Sequence, residues 1–386
     1  MNNFEYIFKY NSRKPKKRNR LGLENKKVIC KIYYSSFGAG VINQVIDFVN
    51  SLNPILKGFP IVFEFCKKIA LTDKLSYILF ECICYYLIEK GYIVYVHMRC
   101  FDNIQTRGIK CAPLNLLSVG DCAKFKKKFK FEIYGNHFCK LITQEHASDP
   151  AYLSYLYGDI DNFLRNVGVN DDSSKTELSQ TISELIGNAI EHTKSDCYID
   201  IDIATGYYKL DSNSNLDKSS MYHGINIVIL NLSDNLLNSD LKNKIRNNKD
   251  VQDRYKRLRD AYVYHKNFFG SDYSEDDFFN IAVFQNKISG SSSINKMTCG
   301  GTGLTCLINS LQEKSDSDNC YVLSGSNIIY FIKEYLSYNE DWIGFNKSND
   351  FFNDIPEKKV IDKSEMFFSG TAYNLNFVMK SEDNNE

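Results

Sequence analysis

The sequence predicts an α+β protein in two unequal parts, a smaller α/β domain over residues 26–139 and a larger unit over 140–380. Three observations predict it. The N-terminal part alternates strand-like and helix-like runs. An amphipathic helix is legible around Leu178–Ala189, ahead of an apolar run, Ile225–Leu230, broken only by Asn226. A glycine turn at 300–303 then opens a helical run, Leu304–Leu311, and a strand-like run, Ala372–Met379, follows late. With 386 residues and 43% hydrophobic content the chain can bury two ordinary cores.

Residues 1–25 hold a basic tract, Arg13-Lys14-Pro15-Lys16-Lys17-Arg18-Asn19-Arg20, expected as a disordered arm able to touch acidic partners or nucleic acid. Val28–Tyr34 reads as a strand, Gly40–Leu52 as a helix, Pro60–Phe65 as a strand, Thr72–Glu89 as a helix and Tyr92–Met98 as a strand. That is a βαβ pattern. Lys124–Phe131 interleaves lysine and phenylalanine and reads as a half-buried edge strand with lysines outward, a pattern that also blocks aggregation. Nucleic-acid contact through stacked aromatics is the sharper alternative and is not favoured. His146 precedes Pro150, which breaks any helix, so it reads as a capping or surface histidine.

The chemistry concentrates in Glu184-Leu-Ile-Gly-Asn188-Ala-Ile-Glu191-His192. A helix repeats about every 3.6 residues, so Glu184 and Asn188 share one face while Leu178, Ile182, Leu185 and Ala189 form an apolar stripe beside it. Asp171, Asp172, Ser173, Ser174 and Thr176 offer capping choices. A carboxamide oxygen suits Mg²⁺, and a carboxylate can polarise a water or a hydroxyl. The plainer reading of this pair alone is a solvated helix face. Gly300, Gly301 and Gly303 let the backbone approach a ligand, and the helix they open presents free N–H groups suited to phosphate. Ile225–Leu230 reads as a buried strand that runs into a turn at Asn231-Leu-Ser-Asp-Asn-Leu.

These pieces, in this order, resemble the GHKL superfamily, the ATP-binding domain of histidine kinases and anti-sigma-factor serine kinases, over about residues 140–380. Glu184, Asn188, Ala189 and His192 match its Glu-x-x-x-Asn-Ala-x-x-His motif. Gly301, Gly303 and Leu304 match its Gly-x-Gly-Leu motif. The resemblance implies the Bergerat fold, an α/β sandwich with a mixed sheet. It further implies Glu184 as general base and Asn188 as Mg²⁺ ligand. Gly300, Gly301, Thr302, Gly303 and Leu304 would wrap the phosphates of ATP, with Glu191 and His192 close by. Thr371 would reach the adenine pocket. One motif departs: Asn231, Ser233 and Asn235 stand where the family has Asp-x-Gly-x-Gly. A carboxamide oxygen still accepts from the adenine amino group, but its own NH₂ needs a partner. Asp234 offers a shifted register. Glu191, at a position often lysine in histidine kinases, looks more like the anti-sigma serine kinases. The N-terminal alternation resembles their accompanying STAS domains.

Leu236–Cys299 is long for a lid over the nucleotide; it contains a charged helical pattern, Lys242–Arg259, whose basic residues read as a solvated face. The 47 basic and 47 acidic residues balance, which argues against nucleic-acid or membrane binding as the main activity. The twelve cysteines show no Cys-x-x-Cys pair and read as buried thiols of a reducing cytosol. No apolar run reaches about 18 uncharged residues, so no membrane span is expected. Residues 381–386 form an acidic tail. The expected function is a cytoplasmic, Mg²⁺-dependent ATPase that switches an N-terminal domain, a protein partner or a homodimer. A serine/threonine protein kinase of the anti-sigma type and a nucleotide-sensing module with little turnover are the alternatives.

Overall fold

The computed structural model describes residues 3–11, 23–24, 26–53, 56, 58–71, 73–98, 112–149, 151–169, 171–207, 222–247, 252–288, 303–315 and 320–380. The first part comprises α1 (Tyr6–Lys9), β1 (Leu23–Glu24), β2 (Lys27–Ile32), β3 (Ser36–Phe37), α2 (Ala39–Asn50), β4 (Ile61–Phe65), β5 (Ala70–Leu71), α3 (Lys74–Glu89), β6 (Val94–Met98), α4 (Ala112–Ser118) and α5 (Cys122–Lys130). Then follow β7 (Phe131–Tyr134), β8 (His137–Ile142), α6 (Gln144–Ala147), α7 (Tyr152–Asn166), α8 (Asp172–Thr193), β9 (Cys197–Tyr207) and β10 (Tyr222–Leu232). The last elements are α9 (Ser239–Arg246), α10 (Asp253–His265), α11 (Glu275–Ala282), α12 (Gly303–Lys314), β11 (Tyr321–Tyr330) and β12 (Ile361–Lys380).

The chain is a mixed α/β protein. A four-stranded sheet has the order β1-β2-β4-β6, and a six-stranded sheet the order β11-β12-β10-β9-β8-β7. In the smaller sheet β2, β4 and β6 run parallel, with α2 and α3 as crossovers, as the βαβ reading expects. The larger sheet is antiparallel throughout, not mixed as the resemblance implies. The physical reason is the connection between β8 and β9. It contains two long helices, α7 and α8, packed on each other, so the chain goes out and returns to the end it left. No helix of the described residues is long and apolar enough to cross a membrane.

The six-stranded sheet serves two cores. Ile199, Ile201 and Ile203 of β9, with Ile225, Ile227 and Ile229 of β10, face a front core shared with α7, α8 and α12. Tyr198, Val228 and Leu230 point the other way, into a back core built with α2, α3 and α5. Helix α3 lies between the two sheets, which accounts for its apolar residues on every side. The strand β8, at 137–142, spans the expected boundary at 139/140 and pairs with β9, so one sheet carries residues from both sides of it.

Three expectations are corrected. Lys124–Phe131 is not an edge strand; it is helix α5 leading into β7. Phe125 and Phe129 are four apart and fully buried, so the period is helical and the lysines occupy the remaining faces. Within the arm, residues 3–9 are ordered, because Phe4 and Ile7 insert on one face, and Phe4 packs edge-on against Tyr85 and Phe129. The tract 13–20 lies outside the described residues. The charged pattern Lys242–Arg259 is two helices, α9 and α10, whose Leu241, Ile245, Tyr255 and Leu258 are buried in the front core. This part of the lid is therefore packed structure.

At the junction of the two cores lies a buried ionic network. Lys74 Nζ is 2.7 Å from both Asp200 and Asp202 and donates to the Asn226 carbonyl at 3.1 Å. His137 Nε2 lies 2.9 Å from Asp200, and its other nitrogen faces Glu132, which pairs with Lys128. Burial opposes the charged form of His137, but Asp200 outweighs it and holds the imidazole well above its ordinary value. Glu81 is pushed up, first by burial and then by Asp200, and accepts a hydrogen bond from Tyr77 at 3.1 Å.

Replacing Lys74 by methionine would leave the buried Asp202 without a cation and Asp200 with His137 alone, and is expected to cost about 3–5 kcal/mol in urea denaturation. Adding Asp200→Asn and Asp202→Asn should restore most of the loss. His137 contributes stability that is full below its ordinary value of 6.5 and lost as pH rises through the raised folded value. A fall in denaturation midpoint above that pH, flattened in His137→Gln, checks it.

Candidate functional site

Helix α8 starts where Asp171 accepts a hydrogen bond from the Ser173 N–H, one of the capping choices in the sequence. It ends at Lys194, whose φ of 49° stops the helix in the left-handed region. Leu178, Ile182 and Leu185 are buried, which turns the Glu184–Asn188 face to the side of the core stripe. Glu184 accepts from Gln180 at 3.2 Å through one oxygen, while its other oxygen is buried without a hydrogen-bond partner. Asn188, one turn on, is half-buried. Glu191 is exposed, and His192 belongs to the last turn of the helix.

Helix α12 packs antiparallel against α8. Near its C-terminus, Ser310 donates to Glu177 at 2.5 Å and Lys314 forms an ion pair with the same carboxylate. Nearer its N-terminus, the Cys306 thiol is pushed up, first by burial and then by the neighbouring carboxylates of Glu184 and Glu177. The run of contacts, from Lys314 beside Glu177 to Cys306 beside Glu184, carries the helix start at Gly303 towards the Asn188 turn. Leu304 packs on the front core. Gly300, Gly301 and Thr302 lie outside the described residues.

The sheet supplies the other residues. Asn231 ends β10 and is paired in register with Thr371 of β12 and Cys197 of β9. By the alternation of Ile229 and Tyr373, both Asn231 and Thr371 face the front, the side that carries α8 and α12. Asn231 is 2% exposed and its amide nitrogen has no partner. The buried Ser369 hydroxyl nearby is also unpartnered. Such atoms occur elsewhere among the described residues as well; here two lie at one sheet end, with the Glu184 oxygen on α8.

The two glycines missing from the Asn231–Asn235 turn are replaced in two ways. Ser233 ties the turn through its hydroxyl, donating to the Asn235 carbonyl at 2.9 Å and accepting from the Asn235 N–H at 3.2 Å. Close approach comes from the neighbouring strand. Gly370 has φ of 119°, and a Cβ there would fall 2.1 Å from the Asn231 carbonyl oxygen. Sequence reasoning notes Gly370 only as a strand opener; its role depends on a cross-strand register that no local pattern displays. The shifted alternative, Asp234, is half exposed and bound by Lys9 at 2.6 Å and Tyr10 at 3.0 Å.

Two other features are missed by sequence reasoning. His137, Cys139 and Asp200 bring ligand atoms within 4.8 Å of one another, all buried. Lys74 and His137 already neutralise Asp200, so the cluster reads as part of the ionic network. A cavity of about 700 Å³ lies at the β8 edge of the back core, lined among others by Phe4, Tyr85, Lys130, Phe131 and Asp196. None of the expected nucleotide-site residues lines it. Several of the lid's basic residues are used internally. Lys242 pairs with Glu275 and Asp276, Arg246 with Glu275, and the Arg257 guanidinium lies 4.7 Å from the Phe352 ring centre.

Comparison with protein-family models, with characterised proteins and with solved structures yields no match for this chain.

Gly370→Ala combines a strained backbone with a clash at Asn231 and is expected to cost about 1–3 kcal/mol or more in thermal melts. Gly58→Ala, which meets nothing within 4 Å, should be close to neutral and serves as the control.

Proposed function

We propose that the chain binds Mg²⁺-ATP on the front of the six-stranded sheet, between α8, the start of α12 and the sheet end carrying Asn231 and Thr371, and hydrolyses it in the manner of a GHKL domain. One observation carries the reading: an antiparallel α8–α12 pair and a register-paired Asn231–Thr371 share one face of the sheet. That four stretches far apart in sequence share one side of the sheet supports the reading.

The donor set fits the ligand. The unpaired amide nitrogen of Asn231, with its own carbonyl oxygen, offers the donor–acceptor pair that a purine edge accepts. An asparagine can present this pair in either orientation, so base preference is expected to be weaker than with the family's aspartate. Thr371 adds a hydroxyl beside it. The N-terminus of α12 would meet the phosphates, where backbone N–H groups and the helix dipole favour negative charge. Asn188 would hold Mg²⁺ through its side-chain oxygen; the ion, when bound, supplies positive charge against the phosphates. Glu184 has a free oxygen and would take the proton of an attacking water.

A second reading has an observation of its own. Helices α9, α10 and α11 are tied into the front core by Leu241, Ile245, Tyr255, Leu258, Phe278 and Phe279. That packing slows any large lid motion and favours a nucleotide sensor with little turnover.

Titration calorimetry should show Mg²⁺-dependent ATP binding that Asn188→Ala weakens at least about tenfold, about 1.4 kcal/mol. Unchanged affinity in that variant removes the site assignment. Glu184→Ala should keep binding while phosphate release falls by about 10²-fold or more. Absent release in the unaltered chain selects the sensor, and labelled γ-phosphate on protein selects the kinase.

A further inference from the structure

The six-stranded sheet ends at β7, and among the described residues no strand pairs with its outer side. The strand is apolar and open: Phe131, Ile133 and Tyr134 are 49%, 46% and 72% exposed. Its one charged residue, Glu132, is turned inward to Lys128 and His137 and is buried. Edges are normally guarded by short length, an inward charge, an outward lysine, a proline or a bulge. β7 is short and turns Glu132 inward, but it carries no lysine, proline or bulge, and its register with β8 is unbroken from Phe131 to Tyr134.

Two neighbouring features indicate what covers it. Helix α5, which runs directly into β7, exposes Lys124, Lys127 and Lys130, and none of the three has an acidic partner among the described residues; Lys126 and Lys128 are paired, with Glu89 and Glu132. The cavity of about 700 Å³ meets the strand at Phe131; Phe4, Tyr85 and Phe131 give it aromatic walls, while Glu89, Glu145 and Asp196 also line it, so it would take an apolar side chain of the peptide and not an acidic one. We propose that β7 is a docking edge for an extended peptide of alternating acidic and apolar residues, added as a further antiparallel or parallel strand and anchored by one side chain in the cavity. Main-chain hydrogen bonds supply affinity in this mode, and side-chain pockets and charge supply selectivity. A second copy of the chain is a poorer occupant. Pairing β7 with itself would bring two lysine-rich α5 helices together.

This inference is independent of the nucleotide reading, and nucleotide-free protein tests it. The probe is a fluorescein-labelled peptide alternating glutamate with valine and phenylalanine, followed by anisotropy on the full chain. It should bind, more weakly at high salt, while the same peptide with lysine for glutamate binds at least about tenfold less tightly. Ile133→Lys, and separately Lys127→Glu with Lys130→Glu, should each weaken the acidic peptide by roughly tenfold or more, with an unaltered thermal melt. Phe131→Lys gives a second exposed-site variant should the first fail to fold. No binding, equal binding of both peptides, or indifference to these variants overturns the proposal. So does concentration-dependent self-association that Ile133→Lys abolishes, which would assign the edge to a second copy.

Discussion

The Lys74 ammonium, held between Asp200 and Asp202, is the contact on which the architecture turns. Both carboxylates sit on β9, on the face of the large sheet away from α8, and Lys74 opens the helix that separates the two sheets. A buried ion pair is weak evidence for stability, because desolvation offsets most of the attraction. Its stronger effect is selective. Any shift of α3 along the sheet, or of β9 by one residue, would strand charge in an apolar interior, so the network admits a single docking of the N-terminal layer. With the back of the sheet fixed in this way, its front is left apolar, isoleucine-rich on β9 and β10, and α7, α8 and α12 pack there.

The proposed nucleotide site and the back core therefore share strands. β9 and β10 carry Asp200, Asp202 and Val228 towards α3, and end beside each other at Cys197 and Asn231. A ligand that pulls on Asn231 acts on a strand already clamped from behind by Lys74. On the proposed reading this would give a short physical path from a front-face ligand to the N-terminal layer. The edge at β7 belongs to the same sheet through β8, so a peptide docked there would extend the sheet that carries the proposed nucleotide site.

Parts of this were legible in the sequence for clear reasons. Helix α8 announces itself because Leu178, Ile182, Leu185 and Ala189 keep one period beside a capped start, and β10 because five of the six residues Ile225–Leu230 are apolar and fall on both faces of a strand. Other parts were not. Phe125 and Phe129 carry a helical period that the surrounding lysines obscure. Asp200 and Asp202 alternate with isoleucines as they would on a strand with one solvated face; what turns them inward is Lys74, 128 positions from Asp202. Gly370 earns its place only through its register against β10. Local pattern reports periodicity well, but it holds no information on which distant charge or backbone a residue will meet.

Hydrogen–deuterium exchange of the full chain with and without Mg²⁺-ATP tests the central claim most directly. The account predicts added protection in the second half of α8, in the turn after β10 and at the start of α12, with the cavity beside Phe131 unchanged. Protection absent from those three stretches, or confined to the back of the sheet, would contradict it.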